Sequence, residues 1–147
     1  MTKTYQITDI ASWAPCLETL EQILRPGMII ALSGPLGAGK TTFVQELAKR
    51  FGSESSPKSP TFSLLRTYRL KQAPFERLLH VDAYRIEREQ DLQILNLDEE
   101  LEESGTIAAI EWPEQIPLWI TQHAERVVWL TIASEIEGER KVELMYA

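Results

Sequence analysis

The chain has 147 residues, of which 44% are hydrophobic and 25% are charged, so its size and composition are those of an ordinary globular domain with its own core. Its net charge of −7 argues against a broad surface for nucleic acid or membranes, and its one cysteine, Cys16, excludes an internal disulfide and fits a reducing compartment. Because no apolar run reaches the roughly 18 residues of a membrane helix and no signal peptide is recognisable, we expect a cytoplasmic protein with one domain, residues 1–147.

The N-terminal region predicts a short strand and then a helix. Residues 4–8 have the pattern of a strand, Ser12 is a candidate cap for the helix that follows, and residues 25–27 end that helix. We expect Trp13 and Cys16 in the core, with the stacking of Trp13 on a nucleotide base as the alternative. Apolar side chains recur along the helix at a spacing of 3.6 residues: Trp13, Cys16, Leu17, Leu20, Ile23 and Leu24.

A glycine-rich turn lies between an apolar run, residues 28–32, and a second amphipathic run that begins at Phe43. The turn fits the pattern G-x-x-x-x-G-K-[ST] and has the strand before it and the helix after it that the pattern requires. Glycines let the backbone wrap closely around a phosphate, so that successive N–H groups and a helix N-terminus point at the anion. The sequence therefore predicts a nucleotide phosphate site formed by Gly34, Pro35, Leu36, Gly37, Ala38, Gly39, Lys40, Thr41 and Thr42.

Three side chains at the end of this turn have distinct expected roles. Lys40 is expected to reach the β- and γ-phosphates, and the hydroxyl of Thr41 is expected to bind Mg²⁺. Thr42 either caps the same helix turn or touches the α-phosphate. An ordinary turn does not explain Lys40, because no turn requires a lysine at that position.

The next segment, residues 53–61, is rich in proline and small polar residues and is expected to be a surface loop. Many nucleotide hydrolases have a switch segment directly after the phosphate-loop helix. Lys58, Ser59 and Thr61 are therefore candidates to sense the γ-phosphate, with a plain solvated loop as the alternative.

Two strand-like runs, residues 62–70 and 75–84, are joined by a short polar turn and so predict an antiparallel hairpin. An acidic residue at the end of an apolar strand, downstream of a phosphate loop, suits Mg²⁺ or a positioned water. Asp82 is the first such carboxylate. For His80, a packed and hydrogen-bonded histidine is the default expectation.

Residues 87–103 are strongly acidic and have an apolar side formed by leucines. Two short helices broken near Asn96 would suit this segment. Its charge is interpreted as a solvated face, with a docking surface for a basic partner as the alternative.

A second apolar strand, residues 106–113, also ends in a carboxylate, Glu111. Its Ile/Ala run suits a central strand that is covered on both faces. Burying Glu111 unpaired would be costly, so a cation is expected there: Mg²⁺ beside Thr41, or a basic side chain in a structural salt bridge. Trp112 is expected to shield the site from water. Two alternating segments near the C-terminus, residues 126–133 and 141–146, predict a closing hairpin at the edge of the sheet.

Four motifs stand in a fixed order along the chain: GPLGAGKTT at 34–42, SPT at 59–61, HVDAYR at 80–85 and IEWP at 110–113. Together they resemble the bacterial TsaE (YjeE) family over nearly the whole chain. The resemblance implies an ATPase needed to make threonylcarbamoyladenosine, the modified base beside the anticodon of tRNAs that read codons beginning with A. It also implies work with a TsaB–TsaD heterodimer, with tRNA reached only indirectly or through that complex. The expected fold is an α/β, P-loop NTPase-like, three-layer fold: a mostly parallel central sheet with antiparallel hairpins, and helices on both faces.

The resemblance also implies roles for individual residues. Lys40, Thr41 and Thr42 would hold the triphosphate of ATP and Mg²⁺, and Glu111 would be the acid linked to Mg²⁺. Lys40, Asp82 and Glu111 would serve catalysis, Asp82 directly or through water. Thr61 would belong to the switch-like loop, and Trp112 would border the nucleotide. The chain departs from the family at Pro35, where an acidic residue is usual.

Two other functions are compatible with a phosphate loop. A small-molecule kinase usually carries an Arg-rich lid, whereas the segment after Asp82 is short and acidic. A nucleotide-gated binding module would use ATP occupancy rather than turnover. GTP is disfavoured as the nucleotide, because the chain has no Asn-Lys-x-Asp guanine signature.

Overall fold

A seven-stranded sheet organises the fold, and its strand order is β1-β7-β6-β2-β5-β4-β3. The structure is a computed structural model that describes residues 1–54, 64–135 and 138–147. The strands are β1 (Thr2–Ile7), β2 (Ile29–Ser33), β3 (Leu65–Arg69), β4 (Arg77–Asp82), β5 (Thr106–Glu111), β6 (Val127–Ser134) and β7 (Arg140–Met145).

The four central strands, β6, β2, β5 and β4, run parallel, and the flanking strands pair antiparallel. β3 pairs with β4 in one hairpin, and β6 with β7 in the other. This arrangement confirms the predicted α/β class with its mostly parallel centre and antiparallel hairpins. One detail of the prediction was wrong: the C-terminal hairpin does not close the sheet, because β1 pairs along the outer side of β7. That pairing joins Thr2 to Met145, a partnership that no local pattern reveals.

Helices cover both faces of the sheet. The α-helices are α1 (Ala14–Ile23), α2 (Lys40–Arg50), α3 (Leu97–Glu102) and α4 (Pro117–Gln122), and 3₁₀ helices span Ile10–Trp13, Glu89–Leu95, Pro113–Gln115 and Ala124–Arg126. Side chains of α1 and α2 pack on one face of the sheet, and those of α3 and α4 pack on the other. The result is the expected three-layer architecture.

β2 shows why the central strands are continuously apolar. Ile30 and Leu32 belong to the core cluster on the α1–α2 side, whereas Ile29 and Ala31 belong to the cluster on the α3–α4 side. Successive side chains of a strand point to opposite faces, so a strand covered on both faces needs an apolar residue at every position. β5 alternates in the same way, and all six of its residues are buried.

The start of the first helical region differs from the predicted cap. Asp9, not Ser12, is the N-cap: its carboxylate accepts a hydrogen bond from the backbone N–H of Ser12 at 2.9 Å. Ser12 fills the third helical position and completes a capping box with Asp9. Trp13 and Cys16 are buried, as expected, and the ring centroid of Trp13 lies 5.2 Å from that of Phe43.

The acidic segment forms two short helices, as predicted. Asn96 separates the 3₁₀ helix Glu89–Leu95 from α3 and has a left-handed backbone, with φ 51°. Leu92, Leu97 and Leu101 face the core, while most of the carboxylates are exposed or half-buried. None of the helices in the described ranges has the length and apolar character needed to span a membrane.

Ile107 tests the contribution of the sheet core to stability. Its side chain is fully buried, whereas that of Ile94 is 82% exposed. Ile107→Ala is expected to lower the free energy of unfolding by about 2–5 kcal/mol, because it removes buried methylene groups and leaves a cavity. Ile94→Ala, the same chemical change at an exposed site, is expected to alter it by less than about 0.5 kcal/mol. Urea unfolding followed by circular dichroism measures both, and equal losses would contradict the assigned core.

Cys16 provides a second probe of packing. Burial raises the pKa of its thiol from the ordinary value of 9.0 to about 12. At pH 8 the native thiolate is then about one molecule in ten thousand, so the native protein is expected to resist a thiol reagent that reacts fully after denaturation. Because the unfolded thiol ionises first, stability is expected to fall as the pH rises from about 9 towards about 12. Rapid labelling of the native protein would show that Cys16 is accessible.

Candidate functional site

The parallel strands bring the predicted site residues together at one edge of the sheet. Leu32, just before the glycine-rich loop, is paired with Glu111, and Asp82 is paired with Glu111 from the other side. A cavity of about 320 Å³ lies at this edge. Its lining joins seven loop residues to both strand-end carboxylates: Leu36, Gly37, Ala38, Gly39, Lys40, Thr41, Thr42, Asp82, Tyr84, Glu111 and Trp112.

A larger cavity of about 510 Å³ lies beside α3 and α4, on one face of the sheet. Its charged lining residues are all acidic: Glu89, Asp98 and Glu99. An anion such as a nucleotide phosphate would be repelled there. The smaller cavity at the strand ends is therefore the candidate nucleotide site.

Glycines shape the loop at this edge in two ways. A Cβ on Gly34 would lie 2.7 Å from the backbone oxygen of Ile132, so only glycine lets the loop lie directly against β6. Gly37 and Gly39 have left-handed backbones, with φ 76° and 105°, and a Cβ on either would have no heavy atom of the described residues within 4 Å. Gly39 is also the N-cap of α2. The loop thus leaves open space beside a helix N-terminus, which is the setting that favours a phosphate.

Lys40 is buried inside this loop. Its ammonium donates hydrogen bonds to the backbone oxygens of Gly34 and Pro35, the second at 3.0 Å. The same ammonium lies 4.0 Å from the centroid of the Trp112 ring, a cation–π contact. Burial lowers the pKa of Lys40, and the nearby carboxylates, Glu111 foremost, oppose that shift. Backbone oxygens of the loop therefore accept the hydrogen bonds of the Lys40 ammonium. A phosphate oxygen could take their place as acceptor.

Glu111 is the buried carboxylate of the site, with 4% of its surface exposed. The hydroxyl of Thr41 donates to its two oxygens at 3.2 and 3.4 Å. Nε2 of His80 lies 2.5 Å from Oε2 of the same carboxylate. A buried charge needs such partners, because its hydration is lost. The hydrogen-bond partners of the Glu111 carboxylate are thus the hydroxyl of Thr41 and the imidazole of His80, and Lys40 is the nearby cation.

His80 is the site residue whose contact the sequence analysis missed. It was expected to be a packed, hydrogen-bonded histidine, and it is one, with 7% exposure, but its partner is the site carboxylate. His80 pairs in register with Ala109, two residues before Glu111 on the same face of β5. Side chains two positions apart in register on neighbouring parallel strands are diagonal neighbours, so the sequence could have predicted this contact. That prediction would have required knowing that β4 lies beside β5.

Asp82 and Trp112 border the cavity. The Asp82 side chain is exposed, and one carboxylate oxygen accepts a hydrogen bond from the backbone N–H of Tyr84 at 3.0 Å. The rings of Tyr84 and Trp112 lie 5.0 Å apart between centroids. Trp112 is half-buried between Lys40 and Tyr84, where it covers one side of the ammonium. Thr61, together with Lys58 and Ser59, lies outside the described residues.

The residues present fit a magnesium ion only with help from a nucleotide. Thr41 and Glu111 supply hard oxygen donors within 3.4 Å of each other. The described residues contain no group of three or more His, Cys, Asp or Glu side chains that could hold a metal ion. Mg²⁺ commonly binds through one or two protein oxygens together with substrate phosphates and water. The donor set therefore suits a nucleotide-bound Mg²⁺ rather than an all-protein metal site.

Comparisons with known proteins identify a family and a solved structure of the same fold. A family model described as "Threonylcarbamoyl adenosine biosynthesis protein TsaE" matches residues 7–142. Proteins named "tRNA threonylcarbamoyladenosine biosynthesis protein TsaE" are similar: that of Rickettsia bellii is 43% identical over 94 residues, 63% of this chain and 62% of its own length. That of Nostoc sp. is 39% identical over 128 residues, 85% of this chain and 74% of its own. The crystal structure of Bacillus subtilis YdiB shares the fold, with TM-score 0.71 and 23% identity over 98% of this chain and 84% of its own.

The buried pair of His80 and Glu111 can be compared with a second His–carboxylate pair, of which only one partner is buried. Nε2 of His123 lies 2.7 Å from a carboxylate oxygen of Asp98; the His123 side chain is 9% exposed and that of Asp98 is 67% exposed. A double-mutant cycle with His80→Ala and Glu111→Ala is expected to give a coupling energy of about 1–3 kcal/mol, because removing either partner leaves a buried polar group unsatisfied. The matched cycle with His123→Ala and Asp98→Ala is expected to give about 0–1 kcal/mol. Urea unfolding measures both coupling energies, and a larger value for His123 and Asp98 would contradict the assigned burial of His80 and Glu111.

Proposed function

The chain belongs to the TsaE family, and on that premise we propose that it binds ATP with Mg²⁺ and hydrolyses the ATP in support of threonylcarbamoyladenosine formation in tRNA. The observation that carries this proposal is the cavity in which Lys40, Thr41 and Glu111 meet the open side of the glycine-rich loop. A cation, a hydroxyl and a carboxylate at a helix N-terminus are the groups that a nucleotide triphosphate and its metal require.

Binding would begin with an exchange of partners at Lys40. The ammonium would leave the backbone oxygens of Gly34 and Pro35 and donate to the β- and γ-phosphates, while backbone N–H groups at the N-terminus of α2 would donate to the same anion. Bound Mg²⁺ would neutralise charge that develops on the phosphate oxygens. Thr41 and Glu111 are the residues that would hold it. Because Thr41 already donates to Glu111, the two groups occupy neighbouring positions without rearrangement of the strands.

The two strand-end carboxylates would divide the remaining work by their exposure. Glu111 is buried and bonded to Thr41 and His80, so it suits a fixed role at the metal. Asp82 is exposed at the rim, where its free oxygen can orient a water for attack on the γ-phosphorus. Tyr84 and Trp112 would limit the entry of other water molecules from that side. Thr61, outside the described residues, remains a candidate sensor of the γ-phosphate.

Turnover by the chain alone would be slow. Among the residues that line the cavity in the described part of the chain, Lys40 is the only basic side chain. In related phosphoryl-transfer reactions an additional arginine, supplied in cis or by a partner, accelerates hydrolysis by about 10³–10⁵-fold. The TsaB–TsaD pair would complete the site or trigger turnover. That Lys40 is the only basic side chain among these described lining residues also favours a second candidate function, in which ATP binding without hydrolysis controls docking to partner proteins.

The charge distribution supports indirect contact with tRNA. Residues 87–103 contain eight of the chain's 22 acidic residues and one of its 15 Lys and Arg residues. The excess of seven negative charges in this segment equals the net charge of the whole chain, −7. Phosphate backbones are attracted to basic surfaces and repelled by such a segment. We therefore propose that tRNA is reached through the partner proteins, in the cytoplasm.

An ATPase assay with and without TsaB–TsaD tests the proposed function. Wild-type protein with Mg²⁺ is expected to hydrolyse ATP slowly and to be stimulated at least about tenfold by the partners, which would supply the missing charge. Equal rates with and without them would contradict the coupling. Partner binding that is equally strong with ATP and with a non-hydrolysable analogue would favour occupancy over turnover.

Substitutions on one helix test the role of Lys40. Lys40→Ala is expected to weaken ATP binding by about tenfold to a hundredfold, because charge-assisted hydrogen bonds to phosphate are lost. Lys49→Ala, on the same helix, is the matched control, since the Lys49 side chain is 67% exposed and pairs only with Glu46 among the salt bridges of the described residues. Isothermal titration calorimetry measures both affinities. Unchanged binding by Lys40→Ala would overturn the assigned phosphate site.

A further inference from the structure

Arg140, the first residue of β7, contacts the glycine-rich loop from a distant part of the chain. Its Nε donates to the backbone oxygen of Ala38 at 3.2 Å, and its Nη2 donates to that of Gly37 at 3.4 Å. Nη1 donates to the backbone oxygen of Glu139 at 3.1 Å. One guanidinium thus binds two successive carbonyl groups of the loop and is anchored to the residue that precedes its own strand.

The sheet topology brings Arg140 to this position. β7 runs antiparallel to β6, and Arg140 pairs with Ser134 at the carboxyl end of β6. β2 runs parallel to β6, with Ser33 paired to Thr131, so the loop that follows β2 leaves the sheet at the same edge. The C-terminal hairpin therefore places a planar donor group beside the loop.

The loop needs such a contact for a conformational reason. Gly37 and Gly39 flank Ala38 in left-handed conformations, and glycine has more backbone freedom to lose than any other residue. A guanidinium is a rigid, planar set of donors, so two bonds to adjacent carbonyls fix the orientation of the peptide groups between them. The N–H of Ala38, which lies between these two carbonyls, donates to the backbone oxygen of Pro35 at 3.1 Å, so the loop is held by hydrogen bonds both within itself and from Arg140.

We propose that Arg140 is a positioning residue for nucleotide binding: by holding the carbonyls of Gly37 and Ala38, it presets the loop to receive the phosphates. Arg140 does not line the candidate nucleotide cavity, so it acts through the loop and not on the reacting atoms. Its contribution is preorganisation, which improves affinity by removing the cost of ordering the loop on binding. This inference rests on the proposed function for its ligand, ATP.

The test compares Arg140→Gln and Arg140→Lys with a matched arginine. Arg126 also donates to a glycine carbonyl, that of Gly27 at 3.5 Å, which lies at the opposite end of β2 from the loop. Both substitutions of Arg140 are expected to weaken ATP binding by about tenfold, because neither glutamine nor lysine reproduces the fork. KM for ATP is expected to rise by a similar factor while kcat at saturating ATP changes by less than twofold. Arg126→Gln is expected to bind and hydrolyse ATP like the wild type.

Amide hydrogen exchange of the nucleotide-free protein provides a readout that does not depend on ATP. The amides of residues 37–39 are expected to exchange faster in both Arg140 variants than in the wild type, with the core amides of β5 unchanged. Unchanged exchange in the loop, or unchanged ATP affinity in both variants, would overturn the proposal. If Arg140→Lys alone kept the full affinity for ATP, the loss in Arg140→Gln would be due to the missing positive charge and not to the planar guanidinium. That result would also overturn the proposal. If the wild type itself does not bind ATP, the proposed function fails, and the exchange of residues 37–39 still decides whether Arg140 orders the loop.

Discussion

The buried carboxylate of Glu111 constrains the geometry of the whole site. Removing a carboxylate from water costs several kcal/mol unless hydrogen bonds and an opposite charge compensate it. Thr41 at the start of α2 and His80 on β4 supply the bonds, and Lys40 supplies nearby positive charge. Two elements from separate parts of the chain, α2 and β4, must therefore keep fixed positions around β5. Those positions bring the glycine-rich loop and both strand-end carboxylates to one edge of the sheet.

The Lys40 ammonium and four carbonyl groups of the loop are already hydrogen-bonded without a ligand. Lys40 donates to two loop carbonyls and covers part of the Trp112 ring. Binding a phosphate therefore exchanges one set of hydrogen bonds for another, and the net gain is much smaller than the number of new bonds suggests. The orientation of the loop before binding then has a large influence on affinity. A donor outside the cavity, such as Arg140, can contribute to that orientation without touching the ligand.

The features that the sequence predicted well are those that depend on neighbouring residues. The glycine-rich loop, the break at Asn96 and the two acidic strand ends, Asp82 and Glu111, are local patterns. The contacts of His80 with Glu111 and of Arg140 with Ala38 depend on strand order and register, which join residues 31 and 102 positions apart. The N-cap was misplaced because both Asp9 and Ser12 are good capping residues, and only the backbone of Asp9, with φ −154°, is extended as a cap requires.

The pairing of β1 with β7 has a consequence for synthesis on the ribosome. β1, Thr2–Ile7, is synthesised well before the strand beside it, β7, which spans Arg140–Met145. At about 5–20 residues per second, β1 then waits for roughly ten seconds or more without its neighbour. An unpaired strand is an opportunity for association with other nascent chains. The composition of β1, TKTYQI, lowers that hazard, since four of its six side chains are polar and only Ile7 is fully buried in the finished sheet.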